Sequence, residues 1–242
     1  MKNPLYRTLM IFGLFVLVNL PANAKNKLTF KQDLSIAADG ISELFVDVGS
    51  GSLNIKSGHV NDIIVNATIS SKKYSDLEDL QEAFDDKMKF SLESSGSKAT
   101  LKAMSKKQFF SWSDPNIQID LDVTVPMKID LNVDDGSGNL KISGIDGNLE
   151  IDDGSGSMQI DDIVGNVLID DGSGSQELSN IDGNVVIDDG SGSVKMENIT
   201  GNVTIDDGSG SINITNLGGQ FKLIDDGSGS VYVNGKKWIE KD

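Results

Sequence analysis

The pentapeptide Asp-Asp-Gly-Ser-Gly begins at Asp134, Asp152, Asp170, Asp188, Asp206 and Asp225, in steps of 18, 18, 18, 18 and 19 residues. A fixed short period restricts a chain to a repeat architecture, because one unit cannot bury its apolar side alone and must stack on its neighbours. Each unit holds two short alternating segments. One carries Leu140/Ile142, Met158/Ile160, Val194/Met196 and Ile212/Ile214. The other carries Leu149/Ile151, Val167/Ile169, Val185/Ile187, Val203/Ile205 and Phe221/Leu223. Alternation with period two, rich in Val and Ile, predicts strands. Gly147-Asn148, Gly165-Asn166, Gly183-Asn184 and Gly201-Asn202 precede the second segment, and Asp-Asp-Gly-Ser-Gly follows it. Both connectors supply residues that tolerate positive φ, as tight corners require.

Two folds fit this pattern. An antiparallel meander of eleven or so strands leaves one apolar face to be covered, and the N-terminal residues are too few to cover it. A solenoid coiling once per 18 residues closes that face on itself, with equivalent residues about 4.8 Å apart on successive rungs. The predicted fold is therefore all-β, a parallel β-solenoid (β-helix) with two-strand rungs and an irregular N-terminal β-rich part. Ile145, Ile163, Ile181, Ile199 and Leu217 fit an inward corner. The extra residue in the last step, within Phe221-Lys222-Leu223-Ile224, predicts a bulge. Gln176 interrupts an otherwise apolar series, which predicts local strain or water in that rung. Asp47-Val48-Gly49-Ser50-Gly51-Ser52 is a degenerate upstream relative.

The chain divides into three stretches. Residues 1–24 read as a secretion signal: Lys2 and Arg7, the apolar run Leu9 to Leu20, and a small-x-small step at Ala22-Asn23-Ala24. That run is shorter than the roughly 20 residues that span a bilayer. An exported protein is expected, periplasmic, outer-envelope or extracellular, with no transmembrane segment after cleavage. Residues 25–129 form a β-rich capping region continuous with the solenoid. Strands are expected at Leu44-Phe45-Val46, at Ile63-Ile64-Val65 and along Ile117/Ile119/Leu121/Val123/Val125. One short helix is expected to open at a capping box, Ser75-Asp76-Leu77-Glu78, with Leu77, Leu80 and Phe84 on one face. Lys106 to Asp114 reads as a loop with exposed aromatics, which either pack as a cap on the solenoid end or form a binding loop. Residues 130–242 are the repeat solenoid, closed at its far end by Val231-Tyr232-Val233 and Trp238.

Charge is uneven along the chain. Residues 130–242 hold 22 acidic residues against 6 lysines, whereas residues 25–129 are nearly balanced. The net charge of −16 repels nucleic acid and anionic lipid and favours cations or basic partners. An acidic, solvated surface that keeps an exported protein soluble is the simplest role for this charge.

Residues 41–55 (ISELFVDVGSGSLNI), the Val125-Pro126 step before Ile129-Asp130-Leu131, and the repeated Gly-Ser-Gly-x-apolar-x-apolar units resemble the bacterial extracytoplasmic β-strand-repeat, adhesin-like family of unknown function. The resemblance covers about residues 40–235. It implies a β-solenoid on the envelope side of the membrane, with some members tied to envelope stress. It carries no catalytic residues over. The doubled Asp is more acidic than the units of that family.

The aspartates carry the candidate chemistry. In-register stacking lines up Asp134, Asp152, Asp170, Asp188, Asp206 and Asp225, and beside them Asp135, Asp153, Asp171, Asp189, Asp207 and Asp226, along one edge. Like charges about 4.8 Å apart repel by roughly 0.9 kcal/mol in water and about 3.5 kcal/mol at an effective dielectric of 20. Hydrogen bonds from the turn's own N–H groups, with the other oxygen in water, relieve this locally. Ca²⁺ bridging the rungs through these twelve residues is the alternative. The motif matches neither the β-roll nonapeptide nor an EF-hand loop. Asn148, Asn166, Asn184 and Asn202 are expected to form a backbone-satisfying ladder.

No cofactor is expected, and an enzyme is not expected either. Some β-helix proteins act on polysaccharides, but here the one His, His59, lies far from the repeats, the only Arg is Arg7, and six equivalent carboxylate pairs are not a differentiated site. The expected role is non-enzymatic: a structural or adhesin-like solenoid that binds an envelope or extracellular protein or glycan, or self-associates.

Overall fold

The computed structural model describes residues 27–106 and 116–239. The leader segment, and the aromatics expected between Lys106 and Asp114, lie outside the described residues. The N-terminal part supplies β1 (Leu28–Ala37), β2 (Glu43–Val48), β3 (Gly51–Gly58), β4 (Asp62–Ser71), helix α1 (Leu77–Lys87), β5 (Met88–Ser95), β6 (Lys98–Ser105) and β7 (Gln118–Pro126). The repeats alternate short and long strands: β8 (Asp130–Asp135), β9 (Gly138–Asp146), β10 (Leu149–Asp153), β11 (Gly156–Val164), β12 (Val167–Asp171), β13 (Gly174–Asp182), β14 (Val185–Asp189), β15 (Gly192–Ile199), β16 (Val203–Asp207), β17 (Gly210–Leu217), β18 (Phe221–Asp226) and β19 (Gly229–Val233). The two-residue β20 (Lys236–Lys237) returns antiparallel on β19.

These strands form the predicted parallel solenoid, about six turns at the 18-residue spacing. Odd and even strands of the repeat separate into two sheets. The eleven-stranded sheet runs β1-β4-β7-β3-β9-β11-β13-β15-β17-β19-β20, and the nine-stranded sheet runs β18-β16-β14-β12-β10-β8-β2-β6-β5. Pairing is parallel and in register, so each repeat position meets its own copy: Ile151 meets Ile169, and Ile169 meets Ile187. The degenerate upstream copy is a true rung, with Val48 paired to Asp135 and Gly51 to Gly138.

The core follows from strand parity. In one rung Val167, Ile169 and Asp171 point inward from the nine-stranded sheet, while Gln176, Leu178 and Ile181 point inward from the other sheet and its corner. Leu168 and Asp170, one residue out of phase, face solvent. The inward corner residues Ile145, Ile163, Ile181 and Ile199 are buried as their apolar character requires. In the last step β18 gains its extra residue between Ile205 and Asp207 of the neighbouring strand, which leaves Ile224 exposed on a bulge.

At the N-terminal end the pairing turns antiparallel, β1 on β4 on β7 and β5 on β6. Helix α1 buries Leu80, Ala83 and Phe84, and Phe84 meets Phe30 edge-on at 5.5 Å. The cap differs from the sequence expectation by one residue. Asp76, not Ser75, is the N-cap, and its Oδ1 accepts from Asp79 N at 2.9 Å. A carboxylate there also opposes the positive end of the helix dipole, which a serine does not. At the far end the Trp238 ring meets Phe221 edge-on at 4.9 Å, and the Trp238 backbone N–H donates to Val231 O.

The glycines have a role the sequence reading did not assign. Most Gly-Asn corners do not need positive φ; of their glycines only Gly165 has one. They need the absence of a side chain, because a Cβ on Gly183 would collide with Gly165 O of the rung before it. Gly174 stands against Gly156 in the same way. Positive φ occurs at Gly138, Gly156, Gly174 and Gly192 of the Asp-Asp-Gly-Ser-Gly connector, as expected, and at a further corner, Gly144, Asp162, Asn180, Asn198, Asn216 and Asn234, one per rung. Asn and Asp enter this region at smaller penalty than other side chains.

Two outcomes follow for denaturation measurements. Gly174→Ala is expected to lower stability by about 2 kcal/mol or more, since the backbone ladder must part locally to admit the methyl. Excising residues 156–173, one whole period, is expected to leave a β-rich circular dichroism spectrum and a cooperative melt.

Candidate functional site

The predicted aspartate pairs do not share one edge. Parity divides each pair between the two sides of the sheet wall. Leu149, Ile151 and Asp153 share one phase and point inward, while Glu150 and Asp152 point outward. The inner members Asp135, Asp153, Asp171, Asp189 and Asp207 are each 1% exposed. The outer members Asp134, Asp152, Asp170 and Asp188 face solvent, Asp206 is half-buried, and Asp225 lies exposed at the bulge. Asp226 ends the inner column half-buried. At the other end the column meets Val48, then Ala103. The expectation that turn N–H groups bind one oxygen and water the other is corrected on its second half. The spacing of Leu149, Ile151 and Asp153 already carried that information.

Three of the inner aspartates close their own turns. Ser137 N, Ser155 N and Ser173 N donate to Oδ1 of Asp135, Asp153 and Asp171 at 3.2, 3.1 and 3.0 Å. This two-residue reach explains why Asp precedes Gly-Ser. The second oxygens are buried. Asp135 Oδ2, Asp153 Oδ2 and both oxygens of Asp189 and Asp207 have no hydrogen-bond partner. Gln176 answers one of them: its Nε2 donates to Asp171 Oδ2 at 3.0 Å, while its own Oε1 is left unpartnered. The polar interruption expected to be strained or wet is thus a partner for the column.

Burial without partners favours the neutral acid. Loss of solvent pushes the Asp153 carboxyl up to about 7, with the charges of Asp135 and Asp171 adding to it. Loss of solvent likewise raises Asp135 and Asp189 to about 6. Asp171 and Asp207 move the same way for the same first cause. At neutral pH the interior column is therefore partly protonated.

The outer row lies on a patterned surface. In the neighbouring row of the same sheet, Phe45, Asn132, Glu150, Leu168, Val186, Thr204 and Lys222 follow one another rung by rung. Leu168 and Val186 are adjacent and 46% and 42% exposed. On the far side of that row runs the asparagine ladder: Asn166 N, Asn184 N and Asn202 N donate to the Oδ1 of the preceding Asn at 3.0, 3.0 and 2.9 Å. The ladder consumes these amides in backbone satisfaction, as expected. Lys102 pairs with Asp47 at 2.9 Å at one end of the outer row. Among the described residues no lysine pairs with Asp134, Asp152, Asp170, Asp188 or Asp206.

Among the described residues no three carboxylate or imidazole groups converge as a metal centre, and no helix is long and apolar enough to cross a membrane. A polar cleft of about 740 Å³, lined by Lys27, Ser52, Ser70, Gln118 and Asp120 among others, opens beside the first rung. Its residues come from β3, β4, β7 and β9 and the segments beside them, so no local motif announced it.

A family model described as the N-terminal domain of toast_rack, DUF2154, matches residues 23–179. No curated protein matches the chain. Among solved structures, a putative cell adhesion protein from Clostridium sporogenes is 13% identical, with 81% of this chain and 99% of that chain covered at a TM-score of 0.42. A putative adhesin from Parabacteroides merdae is 11% identical, with 83% and 95% covered at 0.25. Another from Bacteroides fragilis is 11% identical, with 83% and 98% covered at 0.25.

The inner column sets a pH dependence. Its carboxyls hold protons in the native state at pH values where an unfolded Asp, near 3.9, has released them. Stability is then greatest below about 4 and falls as pH rises through about 6 to 7. Thermal melts are expected to drop in midpoint from pH 5 to pH 8. Asp153→Asn keeps the acceptor for Ser155 N and removes the charge. It is expected to stabilise the protein at pH 8 by about 1–3 kcal/mol and to flatten the profile. A variant melting lower than the parent at pH 8 would contradict this account.

Proposed function

The chain belongs to the Toast_rack_N family, the N-terminal domain of toast_rack (DUF2154), and from that premise we propose a non-enzymatic, adhesin-like binding role in or outside the cell envelope. The binding surface is the outward face of the nine-stranded sheet. The observation that carries this reading is the unpaired row Asp134, Asp152, Asp170, Asp188 and Asp206, in register beside the exposed Leu168 and Val186.

Charge and apolar surface side by side select a complementary partner: an extended segment in which basic and apolar side chains alternate. The row repeats one contact at every rung, so a weak single contact is multiplied along the partner. The leader-like N-terminus, with Lys2, Arg7 and the run Leu9 to Leu20, supports export. Six near-identical carboxylate pairs support a repeated contact surface rather than a catalytic centre. Ca²⁺ on the same outer row is the competing occupant, and it predicts a melting midpoint that rises with millimolar Ca²⁺ and falls with EDTA.

A peptide alternating Lys and Val over six residues tests the surface. The chain without its leader is expected to bind it, with affinity falling as salt rises. Asp170→Asn with Asp188→Asn is expected to weaken binding about tenfold, on the order of 1.4 kcal/mol. Leu168→Ser is expected to weaken it by a smaller factor. Equal binding of an alternating Glu and Val peptide would sink the reading.

A further inference from the structure

In five successive rungs an outward-facing aspartate is followed directly by a buried one, so five outer carboxylates are each joined to an interior carboxyl across the sheet wall. We propose that occupation of the outer row by positive charge and protonation of the inner column are linked equilibria: a basic partner expels protons from the interior, and acidification releases the partner. This rests on the outer row being the binding surface.

The placement makes the two rows interact. Consecutive residues on a strand have Cα atoms about 3.8 Å apart, and the carboxyls they carry lie within a Debye length of each other. The wall between them excludes the water that screens surface charges. Burial is the largest influence on each inner carboxyl. To it neighbouring inner carboxylates add at Asp153, Asp189 and Asp207, and the outer neighbour adds a smaller share in all five rungs: Asp134 on Asp135, Asp152 on Asp153, Asp170 on Asp171, Asp188 on Asp189 and Asp206 on Asp207. A cation that neutralises the outer charge removes that contribution and eases ionisation within.

Among the described residues, no titrating group outside the two aspartate rows faces the middle of the column. Along the column, each inner aspartate meets only its own copies, with Asp226 at one end and the uncharged Val48 at the other. From the opposite sheet the position five residues on supplies Leu140, Met158, Gln176, Val194 and Ile212, none of which titrates. Asp47 and Lys102 act at the Asp134 end alone, with opposite signs. The unpartnered oxygens provide the seats for the protons. A protonated carboxyl becomes a donor, and Asp153 Oδ2, the oxygens of Asp189 and Asp207, and Gln176 Oε1 are buried acceptors without donors. The expelled proton leaves to the buffer, which makes it countable.

Calorimetric titration of the same Lys/Val peptide into the leaderless chain, at pH 6.5 in two buffers of different ionisation enthalpy, measures that count. Release of about half a proton or more per peptide is expected, with affinity rising about threefold or more per pH unit between pH 5.5 and 7.5. The triple change Asp153→Asn, Asp171→Asn and Asp189→Asn leaves the surface intact. It is expected to bind at pH 7.5 with most of the proton release and pH slope gone. Should that variant fail to fold, Asp153→Asn alone must release measurably fewer protons than the parent; an unchanged count overturns the linkage. Binding with no proton exchange and no pH slope also overturns it while leaving the surface reading in place. No binding at any pH overturns the surface reading, and the linkage with it.

Discussion

The parallel, in-register backbone ladder is the interaction on which the rest of this protein depends. It places each residue about one strand spacing from its own copies above and below. Every position must therefore be a residue that tolerates itself as a neighbour. Isoleucine does so by packing, as Ile151, Ile169, Ile187 and Ile205 show in the core. Asparagine does so because its Oδ1 accepts the backbone N–H of its copy in the next rung, from Asn148 to Asn202, and the amide nitrogens of Asn166 and Asn184 donate to the same oxygens. Glycine does so by leaving room for the carbonyl of the previous rung.

Aspartate is the residue least suited to that rule, and its placement is where the structure is most informative. A carboxylate only accepts, so a stack of them has no internal hydrogen bond to make until protons or donors are supplied. The serine N–H supplies a donor to Asp135, Asp153 and Asp171, and Gln176 adds another at one level. Burial raises the pKa of the inner carboxyls, which eases the burden of buried charge. The inner column is thus a turn-closing device that has acquired a titration. The outer row, built from the same dipeptide, faces solvent.

Much of this was legible in the sequence. The 18-residue step fixed the rung length, the alternation of Val and Ile gave two strands per rung, and the 19-residue step marked the bulge at Ile224. The upstream copy at Asp47 was visible because Gly49, Ser50 and Gly51 keep the turn. The N-terminal strands β1, β5 and β6 were not visible, because their alternation is diluted by Ser, Lys and Thr and their partners lie far away in sequence. The inner and outer fates of Asp152 and Asp153 were readable from parity but were obscured by treating the pair as part of the turn. The burial of the second carboxyl oxygens was not readable, since it depends on what the opposite sheet places against them.

Val48 occupies the inner-aspartate position in the first rung, and the backbone there pairs as it does in every later one. Shape at this position is consequently indifferent to the acid, while the number of titrating groups is not. Single substitutions between Asp and an apolar residue can therefore change how many protons the interior stores without altering the length, curvature or register of the rod. Form and acid response are separately heritable in such a molecule, and a lineage can retune the second without rebuilding the first.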